Sequence, residues 1–192
     1  RDQPRSRGLG DVYKRQHLMK RAKLGDLYCM KVPNGYKIYQ WAYQIPNDGS
    51  YIRVFPHLYE KIPDNLSGIV GSEHSYIIGF AAAKAYRKNL SELLGNFAVP
   101  LQYPFPQYSL TVGVGSKMCI RDNSTGRWLT EFVGGYAELP EKFRAVKALS
   151  GSVTPDWLMY LFDTDFDFSD WNRFFPRDEI DKYHKIYQTM LE

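Results

Sequence analysis

The sequence predicts an α+β fold: an N-terminal antiparallel β-meander packed by C-terminal helices. Three observations lead there. Two turn signals, Pro33-Asn34-Gly35 and Pro46-Asn47-Asp48-Gly49, separate three short runs rich in aromatic and β-branched residues. Aromatic residues make up 16% of the 192-residue chain, a bias that favours pleated surfaces. The second half carries helix-opening signals, Leu139-Pro140-Glu141 and Thr154-Pro155-Asp156, with Pro where a first helical turn tolerates it.

Taken in order, Leu27 to Val32 reads as a first strand after the Lys23–Asp26 turn. Tyr36 to Tyr43 reads as a second, with Tyr36, Ile38 and Gln40 on one face and Tyr39, Trp41 and Tyr43 on the other. Tyr51 to Phe55 is a third strand, and Ser75 to Phe80 a buried fourth. Residues 56–73 are less regular. Ala81 to Leu94 has helical composition, with Gly95-Asn96 as its stop. Pro100, Pro104 and Pro106 then impose an extended connector. Tyr108 to Val114 and Arg127 to Val133 read as strands, the second closed by a Gly134-Gly135 turn. Phe143, Val146 and Leu149 suggest a helix opened by Pro140. Trp157 to Phe162 is a further helix, and a last one runs from near Pro176 to Met190.

Charge needs correction before use. The chain carries 25 basic and 21 acidic residues, net +4. The peptides Gly10–Gln16 and Lys117–Asp122 can both be encoded by DNA that contains the string AGATGTGTATAAGAGAC, in two different reading frames. That string resembles the end sequence that transposase-based library kits attach to DNA. Residues 1–18 are therefore expected to be a non-native leader, with Met19 as the natural start. Residues 19–192 are expected to form one domain, with an artefactual junction at 117–122. Residues 1–16 hold five basic and two acidic side chains; without them the balance is 20 to 19, net +1. Cys29 is then the sole native cysteine, which suits a reducing, cytoplasmic setting. No apolar run is long enough for a membrane span, and residues 1–16 hold no apolar signal-peptide core.

The corrected chain is polarised. Asp156 to Glu192 holds nine acidic and four basic residues, net −5, against +6 for Met19 to Pro155. Asp163, Asp165 and Asp167 alternate, with Asp170 close behind, in a way that resembles the start of a calcium loop. The sixth position is Phe168 instead of Gly and the twelfth Phe174 instead of Glu, so no metal is expected there. A solvated loop and an acidic face for a basic partner both remain open.

Catalytic signals are weak. Gly68-Ile69-Val70-Gly71-Ser72 lacks the Lys-Ser/Thr ending of a phosphate loop, and Gly113-Val114-Gly115 has no third glycine. His57, His74 and His184 do not lie at metal-ligand spacing. An enzyme built on His57, Glu73 and His74 is one rival reading. A single-stranded nucleic-acid binder stacking bases on Tyr36, Tyr39, Trp41, Tyr43, Tyr51 and Phe55 is another. Only Lys37 and Arg53 lie close enough to supply its cations, so nucleic acid is a poor fit.

Lys23, Gly25, Asp26, Leu27 and Tyr28, followed by Pro33, Asn34, Gly35 and Tyr36, resemble the start of the bacterial immunity protein 26 family. Ile78-Gly79-Phe80, the Pro-rich stretch to Pro106, Trp128 and Leu139-Pro140-Glu141 fit more loosely, so the likeness runs to about Leu161. These are turn and core residues, and no active-site residue is carried over. The resemblance implies a non-enzymatic, cytoplasmic protein without cofactor. Its partner would be a cognate polymorphic toxin domain, neutralised by direct contact. Asp163, Asp165, Asp167 and Asp170 are the expected contact residues, on charge polarity alone.

Overall fold

A computed structural model describes residues 21–112, 117–133, 138–168, 173–175 and 178–191. The leader at 1–18, Gly113-Val114-Gly115, Gly134-Gly135, Asp170 and Pro176 lie outside the described residues.

Nine strands form one open, mixed sheet, and five helices accompany it among the described residues. The meander is present as expected. β1 (Asp26–Val32), β2 (Gly35–Ile45), β3 (Gly49–Val54) and β4 (Tyr76–Gly79) pair antiparallel in sequence order. Between β3 and β4 lies a short helix, α1 (Leu66–Gly71), capped by the Asn65 side chain on the Gly68 N–H at 2.9 Å.

The next stretch departs from expectation. Helix α2 stops after Ala82–Arg87, and Glu92–Asn96 is a strand, β5, paired antiparallel with β1. Asn89 sits at φ 58°, a left-handed conformation that ends the helix. The apolar pair Leu93 and Leu94 then serves two sheet faces instead of one helix stripe.

β6 (Tyr108–Val112), β7 (Lys117–Asp122) and β8 (Trp128–Val133) make a second antiparallel set. The segment suspected of adapter origin is thus strand β7, with Met118 and Ile120 buried. The two antiparallel sets are joined by β9 (Ala148–Ser152), parallel to both β4 and β6. The helix expected over Phe143 to Leu149 is therefore one turn only, α3 (Glu141–Arg144). Ala148 and Leu149 are taken by the sheet, where each covers a different face. Strand order is β5-β1-β2-β3-β4-β9-β6-β7-β8.

Close backbone approach at the β4–β9 seam explains Gly79. A Cβ there would collide with the carbonyl oxygen of Gly151. Gly25, at φ 88°, has the same cause: an added Cβ would lie 2.5 Å from the Phe97 carbonyl oxygen.

Both sheet faces are covered. One carries Tyr28, Met30, Val32, Tyr39, Ile52, Val54, Tyr76 and Ile78 beneath α4 (Pro155–Asp163) and α5 (Ile180–Thr189). Phe162 of α4 meets Tyr39 at a ring distance of 5.7 Å, and burying such a ring contributes about 1.5–3 kcal/mol. The other face carries Leu27, Cys29, Ile38 and Phe55, covered by Val70, Tyr59, Ile62 and Leu66 from residues 56–71.

A register shift between Trp41 and Tyr43 corrects the expected face of Tyr43. It joins Tyr51 and Ile77 on the second face, against Phe105 at 5.2 Å.

Candidate functional site

The residues that carry the family resemblance lie at the two ends of the β1–β2 hairpin. Asp26 is buried, and its Oδ2 accepts the Lys23 N–H at 2.8 Å and the Tyr28 hydroxyl at 3.1 Å. Its Oδ1 accepts from Asn96 Nδ2 at 2.9 Å, which ties β1 to β5. Burial, and then the Asp26 carboxylate, push the Tyr28 hydroxyl pKa well up, so it stays a donor. At the far end of the hairpin, Tyr36 exchanges backbone bonds with Tyr59 at 2.8 and 2.9 Å.

The acidic segment after α4 divides. Asp163, expected on a contact surface, is interior. Its Oδ1 accepts the Asn34 N–H and its Oδ2 the Tyr183 hydroxyl, each at 2.8 Å. A buried hydroxyl and a partly buried N–H both find their acceptor in this carboxylate, where the β1–β2 turn meets both C-terminal helices. Asp165 is 64% exposed at its side chain, and it holds Lys37 Nζ at 2.5 Å. Lys37 is itself buried on β2. Asp165 sits at φ 48°, a backbone conformation that Asp and Asn tolerate better than most residues. Asp167 is exposed, while Phe166 and Phe168 on either side point inward and pack on Tyr76. The alternation of acids and aromatics therefore separates an outer charged edge from an inner apolar one. No cluster of three or more His, Cys, Asp or Glu side chains suited to a metal occurs among the described residues.

Sequence reasoning missed a polar cluster inside the sheet. Arg53 is fully buried on β3. Its guanidinium donates to Gln40 Oε1 at 3.1 Å and to the carbonyls of Ser72 at 3.1 Å and Val70 at 3.5 Å. It lies over the rings of Tyr103, at 4.5 Å, and Phe55, at 5.1 Å. Gln40 in turn donates to the Phe97 carbonyl at 2.8 Å. No carboxylate pairs with Arg53 among the described residues. Carbonyl dipoles and ring faces hold the cation instead, and burial draws its pKa down. The signal was present: Gln40 and Arg53 are cross-strand partners at inward positions of two apolar strands.

His74 belongs to this cluster. Its Nδ1 accepts from Arg53 Nε at 3.5 Å, and its ring meets Tyr103 edge-on at 5.5 Å. Burial, and then the nearby Arg53 charge, lower its pKa to about 4, so the ring is neutral near pH 7. Glu73 beside it is exposed, and His57 meets Tyr59 edge-on at 6.3 Å. No hydrogen bond or ion pair joins His57, Glu73 and His74.

Of the six rings that could have formed a stacking platform, Tyr39, Tyr51 and Phe55 are buried. They do not form one exposed surface. Cys29 is buried in β1, and burial pushes its thiol pKa up to about 11. No helix among the described residues is long and apolar enough to cross a membrane. No family model, curated protein or solved structure matches this chain.

Proposed function

We propose that this chain is an immunity protein, which neutralises a cognate bacterial toxin domain by direct binding in the cytoplasm. The observation that carries the reading is the opening hairpin. Its resemblance to the immunity protein 26 family rests on Lys23, Gly25, Asp26, Tyr28, Asn34 and Gly35. Lys23 and Tyr28 donate to the buried Asp26 carboxylate at one end of that hairpin, and Asn34 donates to Asp163 at the other. A preformed sheet of this kind presents a fixed surface to a partner at little ordering cost.

The acidic outer edge after α4 is the proposed contact region. Asp165 and Asp167 are its exposed carboxylates, and Asp170 follows them in sequence. Their charge would speed encounter with a basic toxin such as a nuclease. Asp163 supports that edge from within, through its bonds to Asn34 and Tyr183.

The test is protection in a bacterial host. The product of the gene immediately upstream is expressed with and without this chain, and the pair is then analysed by size-exclusion chromatography. Growth restored together with a co-eluting complex is the expected result. An upstream product that is not toxic, or that kills equally with this chain present, would overturn the proposal. Asp165→Asn with Asp167→Asn should slow association at low salt and leave it nearly unchanged at high salt.

A further inference from the structure

A cavity of about 280 Å³ lies where α2 meets the link from β9 into α4. Phe80, Ala85, Leu90 and Val153 give it an apolar floor, and Tyr187 of α5 closes one side. Its volume is near the lower end of the range for small-molecule sites, about 300–1,000 Å³.

Two cations stand at its edge. Lys84 and Lys88 are four residues apart, on α2 and at its C-cap, so they project from the same side of that turn. Arg87 lies between them in sequence. None of the three takes part in an ion pair among the described residues. The acidic residue nearest the cavity in sequence is Asp156, and its Oδ2 is engaged by His184 Nδ1 at 3.2 Å. The hydroxyl-bearing residues Ser152 and Thr154 complete the polar rim.

We propose that this cavity binds a small amphipathic anion: a ring-sized apolar body carrying one sulfonate, carboxylate or phosphate group. The body would enter between Phe80, Leu90 and Val153, and the charged group would rest between the Lys84 and Lys88 ammonium groups. An apolar floor alone would accept any greasy ligand. The lysine pair adds orientation and selects charge, because charge-assisted bonds are stronger than neutral ones. This site is separate from the acidic edge proposed for a protein partner, and it does not depend on that reading.

The test uses two fluorescent probes with the same body. 8-Anilinonaphthalene-1-sulfonate carries the anion, and N-phenyl-1-naphthylamine lacks it. The full chain should bind the sulfonate saturably and one to one, and more tightly than the neutral probe. The double variant Lys84→Ala/Lys88→Ala should lose about tenfold or more in affinity for the sulfonate and keep its affinity for the neutral probe. Val153→Trp should fill the cavity and abolish both. A readout on the unmodified chain guards against misfolded variants. Bound sulfonate should protect Lys84 and Lys88 from acetic anhydride, relative to Lys31 and Lys142, as read by mass spectrometry. Non-saturable binding, equal affinity for the two probes, or no protection of the two lysines would each overturn the proposal.

Discussion

The carboxylate of Asp163 accepts the backbone N–H of Asn34 at 2.8 Å, across 129 positions of sequence. Its second oxygen takes the Tyr183 hydroxyl at 2.8 Å. One buried side chain thereby joins the β1–β2 turn, the end of α4 and the first turn of α5. Asp163→Ala should strand both donors and cost about 2–4 kcal/mol. Asp163→Asn keeps an oxygen for Asn34 and should cost about half as much. Urea unfolding midpoints measure both. A midpoint for the alanine variant equal to that of the parent would show that the two bonds add nothing.

Lys37 and Asp165 form an unequal pair, with one partner buried and the other 64% exposed at its side chain. Asp165→Asn leaves a buried ammonium short of its counter-charge. Lys37→Met leaves a carboxylate that water can solvate. The aspartate change should therefore be the more damaging, although solvent screening at Asp165 limits its cost to about 1 kcal/mol. Asn is also at ease with the left-handed backbone at 165, so strain does not confuse the comparison. Thermal melts of the two variants, side by side, test the order. A methionine variant less stable than the asparagine one would reverse the argument.

These two carboxylates also show what the sequence could reveal and what it could not. The meander was legible because its information is local: Asn-Gly and Asp-Gly turns between alternating strands. β5 and β9 were not, because their strand character comes from distant partners. Glu92–Asn96 pairs with β1, and Ala148–Ser152 lies between β4 and β6. Both had helical composition nearby, and tertiary pairing outweighed it. The face of Tyr43 depended on a bulge that no turn signal marks. Asp163 looked like its neighbours in the acidic run, since nothing local indicates that Asn34 and Tyr183 need an acceptor. Gln40 and Arg53 could have been found, as polar residues at inward positions of adjacent strands.

Stability should fall on acidification through His74. Its folded-state pKa is about 4 against 6.5 for the ordinary group. The unfolded chain therefore binds a proton first as pH drops. The stabilisation is complete above pH 6.5 and is lost progressively as pH falls through about 4. A shift of this size corresponds to a few kcal/mol, and solvent at the half-buried ring reduces it to about 1–2 kcal/mol. His74→Gln keeps an acceptor for Arg53 and removes the titration. Its unfolding free energy, followed from neutral pH down to about pH 4, should decline less steeply than that of the parent. Parallel curves would rule His74 out as the source.

The β4–β9 seam sets a sharper limit on what the chain tolerates. Gly79 faces the backbone of Gly151, and an added Cβ would run into its carbonyl oxygen. Backbone on both sides leaves no flexible side chain to move aside. The seam also links the two antiparallel halves of the sheet, since β9 alone pairs with both β4 and β6. Gly79→Ala should therefore separate the strands locally and destabilise the fold by about 2–4 kcal/mol, despite adding only a methyl group. Gly71→Ala is the control, because a Cβ there meets nothing within 4 Å. It replaces a helical glycine and should be neutral or slightly stabilising. Denaturant titrations of the two variants compare them directly. Amide exchange should show the loss at Gly79→Ala first along the β4–β9 seam, at the Ile77 N–H, which donates to the Lys147 carbonyl, and the Val153 N–H, which donates to the Gly79 carbonyl. Equal stability for the two alanine variants would mean that the seam yields, and that the two halves of the sheet are less firmly joined than their spacing implies.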